Sequence, residues 1–189
     1  VLIVGDACVG KTALVNVFRS GGRNYPNNYV MTNIAEVAVK AVPIKDQNTN
    51  VELYLFDCAG QSIFHQDTSS DAMSHMDGAA SVMLVFDPTS RESFKNCARW
   101  LQKVRTHLDR NIGGVLVANK VDLRSEFASD RVVTAGEGEG FAKEYGLRYF
   151  EASAKDGKDV DVPFKHIANQ FFDVYKKYTK KVEVLVGAS

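Results

Sequence analysis

Cysteine is sparse in this sequence and never paired: Cys8, Cys58 and Cys97 are odd in number and form no C-x-x-C. That excludes a disulfide framework, and a reduced intracellular compartment is the simplest expectation. Four scattered histidines show no spacing that would join these cysteines in a metal site. Neither sign of charge is in excess, with 23 Lys and Arg against 23 Asp and Glu. No global field exists to attract nucleic acid or an anionic membrane, so neither is expected as a partner. No apolar run approaches the ~20 residues that span a bilayer. Internal repeats and low-complexity linkers are missing too, and 189 residues suffice for one well-buried core. The sequence starts at Val1, inside an apolar run and without Met, so N-terminal signals are not legible. It runs from Cys97 to Ser189 without another cysteine, hence without a prenylation signal, and no direct lipid anchor is expected.

What is present is concentrated in Gly5-Asp6-Ala7-Cys8-Val9-Gly10-Lys11-Thr12, which reads G-x-x-x-x-G-K-[ST]. The apolar run Val1 to Val4 precedes it, and a helical pattern with Ala13, Leu14, Val17 and Phe18 follows. A buried strand thus delivers the chain to a turn of inward-pointing N–H groups, and a helix opens with its positive end at the same spot. Gly5 and Gly10 allow the tight wrap, Lys11 can reach the outer phosphates, and the Thr12 hydroxyl can complete a magnesium shell. The pattern predicts a nucleoside triphosphate site.

The rest of the chain alternates. Helix is expected from Lys11 to Ser20, then a hairpin of Val37–Val42 and Val51–Phe56, and a buried strand at Ser81–Phe86. A helix capped by Ser90 follows, with Phe94, Cys97, Leu101, Val104 and Leu108 on one face. Val115–Ala118 and Leu147–Ala152 read as further strands, Thr134–Tyr145 as a helix diluted by glycines, and a long helix opens near Asp161. This is an α/β pattern whose polar and Gly-rich residues fall at strand ends, where open parallel sheets bind ligands.

Three of the later strand ends carry specific chemistry. Asp57-x-x-Gly60 offers a carboxylate able to hold magnesium, directly or through water, and a Gly60 N–H free to approach a terminal phosphate. Asn119-Lys120-x-Asp122 offers a carboxylate that accepts the paired N–H groups of guanine and rejects adenine. Asn119 can brace neighbouring loops, and the Lys120 stem can lie against the base. From Ser153-Ala154-Lys155, Lys155 could cover the other face of the base and the Ala154 N–H could meet its oxygen.

These motifs, in this order, resemble the Ras-like small GTPases, and the resemblance runs to about Tyr178. It implies a P-loop G domain: a mostly parallel six-stranded sheet with one antiparallel edge strand and helices on both faces. It also implies that GTP or GDP binds with magnesium at Thr12, Asp57 and Thr32, and that Gln61 orients the attacking water. Asp87-Pro-Thr and Glu92-Ser-Phe look most like the Rab branch. A narrower likeness, carried by Asn96-Cys-Ala-Arg-Trp-Leu and Gly114-Val-Leu-Val-Ala-Asn-Lys among others, is to Rab-like GTPases of the intraflagellar transport machinery. It implies a cytoplasmic protein of the cilium or flagellum and its base, paired with a small β-sandwich subunit of intraflagellar transport complex B. Departures from the Ras pattern are Ala7 and Cys8 for glycines, Cys58 for the usual Thr, Asn33-Ile34 after Thr32, and an atypical Ser62–Asp77 segment. Binding is expected to survive them, with slow intrinsic hydrolysis; a scaffold subunit holding GTP as a structural ligand is the alternative. A P-loop metabolic kinase would not explain the N-K-x-D motif.

The C-terminal helix carries Phe164, Ile167, Phe171, Tyr175, Tyr178, Val182 and Leu185 as one apolar stripe. Residues 164–171 are expected to pack on the sheet, and the remainder to meet a protein partner rather than a second copy of the helix. The expected organisation is a G domain over 1–178 and a helical extension over 179–189.

Overall fold

The computed structural model describes residues 1–26, 28, 31–32, 35–60, 77–126 and 132–186, with side chains to 181. Six strands form one sheet: β1 (Leu2–Val4), β2 (Glu36–Pro43), β3 (Asn50–Asp57), β4 (Val82–Phe86), β5 (Gly114–Ala118) and β6 (Leu147–Glu151). Their order is β2-β3-β1-β4-β5-β6. All neighbours run parallel except the hairpin pair β2 and β3, which are registered from Glu36 opposite Asp57 to Pro43 opposite Asn50. The chain moves outward from β1 to β3, then reverses across β1 to β4. That reversal places α1 (Lys11–Ser20) and α2 (Arg91–Leu108) on opposite faces. The crevice between them, beyond the carboxyl ends of the strands, is where such sheets bind ligands.

Side-chain alternation explains the two cores. Ile3, Met83, Val85, Val115 and Val117 point to one face, against α1 and α4 (Asp161–Val186). Leu2, Val4, Leu84, Phe86, Leu116 and Ala118 point to the other, against α2 and α3 (Ala135–Tyr145). β4 and β5 are covered on both faces, which is why they read as unbroken apolar runs. On the first face Phe18 stacks on Phe164, ring centroids 3.9 Å apart. The Ras-like fold inferred from the motifs is the fold observed.

Among the expected boundaries, α1 runs from Lys11 to Ser20 and Ser90 caps α2, accepting from the Ser93 N–H at 3.3 Å. Phe94 and Leu108 prove only partly buried, whereas Asn96 and Trp100, outside the predicted stripe, are buried. One diluting glycine of α3 has a packing reason: a Cβ on Gly138 would lie 2.4 Å from the Tyr149 ring. No helix among the described residues is long and apolar enough to cross a membrane.

α3 offsets its glycines with a capping box. The Glu137 N–H donates to Thr134 Oγ1 at 3.2 Å, and the Thr134 N–H donates to Glu137 Oε2 at 2.8 Å. The bond from Arg91, followed by those from Thr134, holds the Glu137 carboxyl down at about 2. Because the folded value lies below the ordinary one, this contribution is complete above about pH 4.5 and is lost as pH falls through about 2. Thr134→Ala should cost about 1 kcal/mol in urea unfolding at neutral pH.

Candidate functional site

The loop from Gly5 to Thr12 leaves β1 and enters α1 with three residues at positive φ: Gly5 at 148°, Cys8 at 63° and Gly10 at 91°. At Gly10 only a glycine fits, since a Cβ there would lie 2.3 Å from Asn119 Nδ2. Cys8 takes the left-handed conformation without that freedom, and its side chain is exposed. Lys11 closes the loop from inside, its ammonium donating to Gly5 O at 2.9 Å and Asp6 O at 2.8 Å. Only 6% of Lys11 is exposed. Burial pushes its ammonium below the usual range, and the nearby Asp57 carboxylate pulls it back.

At the end of β3, Asp57 faces the start of α1. Thr12 Oγ1 donates to Asp57 Oδ2 at 2.5 Å and lies 3.1 Å from Thr32 Oγ1. Asp57 Oδ1 is buried without a hydrogen-bond partner, a costly arrangement unless something else satisfies it. Burial raises the Asp57 carboxyl above its usual range, and the Thr12 bond opposes that. Three oxygen-bearing side chains around one orphaned carboxylate oxygen suit a hard divalent cation such as magnesium. Among the described residues no three His, Cys, Asp or Glu side chains converge, so the chemistry of the donors does not favour a softer metal. Gly60 packs directly on the phosphate loop: a Cβ there would lie 2.4 Å from Ala7 N. Cys58, where Thr is usual in the resembling family, is buried, and its thiol is pushed up to about 11 by burial. Gln61, Asn33 and Ile34 lie outside the described residues.

The loops after β5 and β6 complete the site. Asn119, 1% exposed, donates from Nδ2 to Val9 O at 2.9 Å and accepts at Oδ1 from the Ala154 N–H at 3.1 Å. One side chain therefore ties the loop from Gly5 to Thr12 to the loops that follow β5 and β6. The Ala154 N–H, read from sequence as a donor to the base, is committed to Asn119 here because the two loops close on each other. Ser153 donates to Asp122 Oδ1 at 2.7 Å and holds that carboxylate in place. Lys155 Nζ stands 4.0 Å from Asp122 Oδ2 and is largely exposed, leaving it free to swing over a base. Lys120, at a φ of 65°, donates to Asp87 Oδ2 at 2.8 Å. Asp87 in turn accepts from the Thr89 N–H and hydroxyl, so the Asp-Pro-Thr turn orients Lys120. Asp6, the remaining loop residue with a charged side chain, points out of the loop toward α2 rather than inward.

The arrangement has a phosphate loop at one end, a cation-suited carboxylate beside it, and an acidic acceptor at the other end. The Ras family model matches residues 1–173. The "Intraflagellar transport protein 27 homolog" of Bos taurus is 37% identical over 187 residues, covering 98% of this chain and 96% of that protein. The human protein of the same name is 38% identical over 185 residues, covering 97% of this chain and 93% of its own length. "Intraflagellar transport protein 27" of Chlamydomonas reinhardtii is 38% identical over 192 residues, covering 100% of this chain and 89% of that one. With motifs, sheet order and near-full-length similarity in agreement, the chain belongs to the Ras family, among the homologues of intraflagellar transport protein 27.

Proposed function

We propose that this chain is a Rab-like small GTPase that binds GTP or GDP with magnesium, hydrolyses GTP slowly, and serves as a subunit of intraflagellar transport complex B. The observation that carries the nucleotide reading is the Asn119 bridge, from Val9 O at 2.9 Å to the Ala154 N–H at 3.1 Å. It couples the loop read as the polyphosphate site to the loop read as the base site, which supports a single nucleotide spanning both. In this reading the N–H groups of residues 5–12 and the Lys11 ammonium hold the phosphates. Asp122 accepts from the base, and Lys120 and Lys155 flank it. Gly60 presents its N–H to the terminal phosphate. Thr12, Asp57 and Thr32 would hold magnesium, which when bound neutralises the phosphate charge that develops during transfer. The fourth oxygen of that set, Asp57 Oδ1, supports this because it is otherwise unmatched.

Gln61 is assigned to positioning water by the family resemblance. Without an arginine supplied by a partner, turnover should be on the order of 10⁻⁴ per second. Gln61→Leu should slow single-turnover hydrolysis by about tenfold or more while leaving nucleotide affinity unchanged. Equal rates in parent and variant would make Gln61 a bystander. No turnover in either would favour the scaffold reading, with GTP as a structural ligand.

The partner reading rests on α4. Its inner face is buried at Phe164, Ile167 and Ala168, but Phe171 is already 49% exposed and Tyr178 65%. The expectation that the stripe packs as far as Phe171 therefore fails: the core-facing line of the helix passes through Ala168 and Phe172, which turns Phe171 away from the domain. Phe171, Val174, Tyr175 and Tyr178 lie at i, i+3, i+4 and i+7 and leave an apolar face uncovered. Val182 and Leu185 continue the spacing, but their side chains lie outside the described residues. A β-sandwich subunit of the transport complex is the partner proposed for this face, with residues 1–178 as the G domain and 179–189 as an extension serving it. The cilium or flagellum and its base follow as the site of action.

A further inference from the structure

We propose that Asp6 is a positioning residue: its carboxylate, held by Asn96 and Trp100, fastens the phosphate loop to α2 and so sets how tightly the loop retains its nucleotide. The inference rests on the guanine-nucleotide reading above. A carboxylate inside an anion-binding loop is wrongly signed for the ligand, and the structure resolves the conflict by turning it away. Asn96 Nδ2 donates to Asp6 Oδ2 at 2.7 Å, and Trp100 Nε1 donates to Asp6 Oδ1 at 2.8 Å. Asn96 and Trp100 are four residues apart, hence on one face of α2, and both are buried. Each carboxylate oxygen thus receives one donor from a rigid helix, with no competing water expected at the Trp100 end.

The main chain of Asp6 is held as firmly. Asp6 O accepts from Lys11 Nζ at 2.8 Å, and a Cβ on Gly60 would lie 2.7 Å from Asp6 C. The Asp6–Ala7 peptide is therefore gripped by α2 on one side, by Lys11 within the loop and by the Gly60 backbone on another. With three residues at positive φ, this loop needs such outside bracing to keep its N–H groups aimed at one point. Asn119 supplies the brace at the Val9 end, and the Asp6 carboxylate supplies it at the Gly5 end.

Trp100 is the single tryptophan of the chain, so its emission reports directly on the clamp. The test uses the full chain loaded with magnesium and methylanthraniloyl-GDP, chased with excess GDP. Asp6→Ala and Trp100→Phe should each speed release, Trp100→Phe by about 10-fold and Asp6→Ala by up to about 100-fold, the loss of one or two hydrogen bonds to a charged group. Because Trp100 acts through Asp6, the double variant should release no faster than Asp6→Ala alone. Asp6→Asn, which keeps an acceptor oxygen, should fall between parent and Asp6→Ala. Stripping nucleotide with a chelator should shift Trp100 emission in the parent and leave it unshifted in Asp6→Ala. A lowered melting temperature with release rates within about twofold of the parent would overturn the proposal and leave the clamp merely structural. If Asp6→Ala does not fold, Trp100→Phe, which keeps an aromatic ring in the core, decides the matter alone. A parent that retains no guanine nucleotide would overturn the nucleotide reading itself, and this inference with it.

Discussion

Asp122→Asn should lower affinity for GDP and GTP by roughly 10³-fold and raise affinity for the xanthine nucleotides. Ser153 Oγ occupies Asp122 Oδ1 at 2.7 Å, and Lys155 stands 4.0 Å from Oδ2. The carboxylate is thus fixed in orientation yet keeps acceptor capacity for the two N–H donors on the edge of guanine. An amide at this position presents one oxygen and one N–H₂ group. The Ser153 hydroxyl can keep the oxygen as acceptor, which turns the donor toward the base, where guanine also donates. Xanthine carries a carbonyl at that place and accepts. Buried donors facing each other lose both bonds and gain none, which is why the effect is large. Competition of GDP, XDP and ADP against a fluorescent GDP measures it. Unchanged GDP affinity in the variant would show that Asp122 does not read the base.

Ending the chain after Lys177 should abolish co-purification with the proposed β-sandwich partner, or weaken it by about tenfold or more, with guanine nucleotide binding near that of the parent. The cut removes Tyr178 and the continuation of the apolar stripe but spares Phe164, Ile167 and Ala168, which belong to the core. Lys176, which lies over the Phe172 ring and donates to Gln47 Oε1 at 3.1 Å in the β2–β3 turn, also stays. Packing of α4 on the domain therefore persists, as do Phe171, Val174 and Tyr175, while the exposed face loses Tyr178 and the residues beyond it. Exposed tyrosines are the residue type that carries binding energy at protein interfaces, since they bury much area for little conformational entropy. Undiminished capture of the partner by the truncated chain would move the interface elsewhere on the domain.

The parts of the site legible in the sequence are those whose geometry is set locally. The phosphate loop is one continuous segment between a strand and a helix, so its composition and its flanks announce it together. Asp57, Asn119 and Ser153 were legible as strand-end residues because the strands before them are buried runs and the sheet brings such ends to one edge. What was not legible depends on how separate elements dock. Asp6 reads as a loop residue facing phosphate, and only the seating of α2 reveals Asn96 and Trp100 as its partners. The spacing of those two residues was visible, but a polar residue beside a tryptophan on a buried face does not say which carboxylate it serves. The bond from Ser153 to Asp122 likewise emerges only where the loops after β5 and β6 approach each other. The exposure of Phe171 escaped for a third reason: apolar lines run through both Phe171 and Phe172, and only the docking of the helix shows that the core takes Phe172.

In the proposed function, Asn119 couples the phosphate loop to the base-reading loop of one guanine-nucleotide site. The most direct measurement is the identity and amount of nucleotide released when the purified, never-stripped protein is denatured. GDP or GTP is expected at close to one per chain, with adenine nucleotides at background. Stoichiometric ADP or ATP would contradict it, as would a folded protein that carries no nucleotide and takes up none when offered GDP with magnesium.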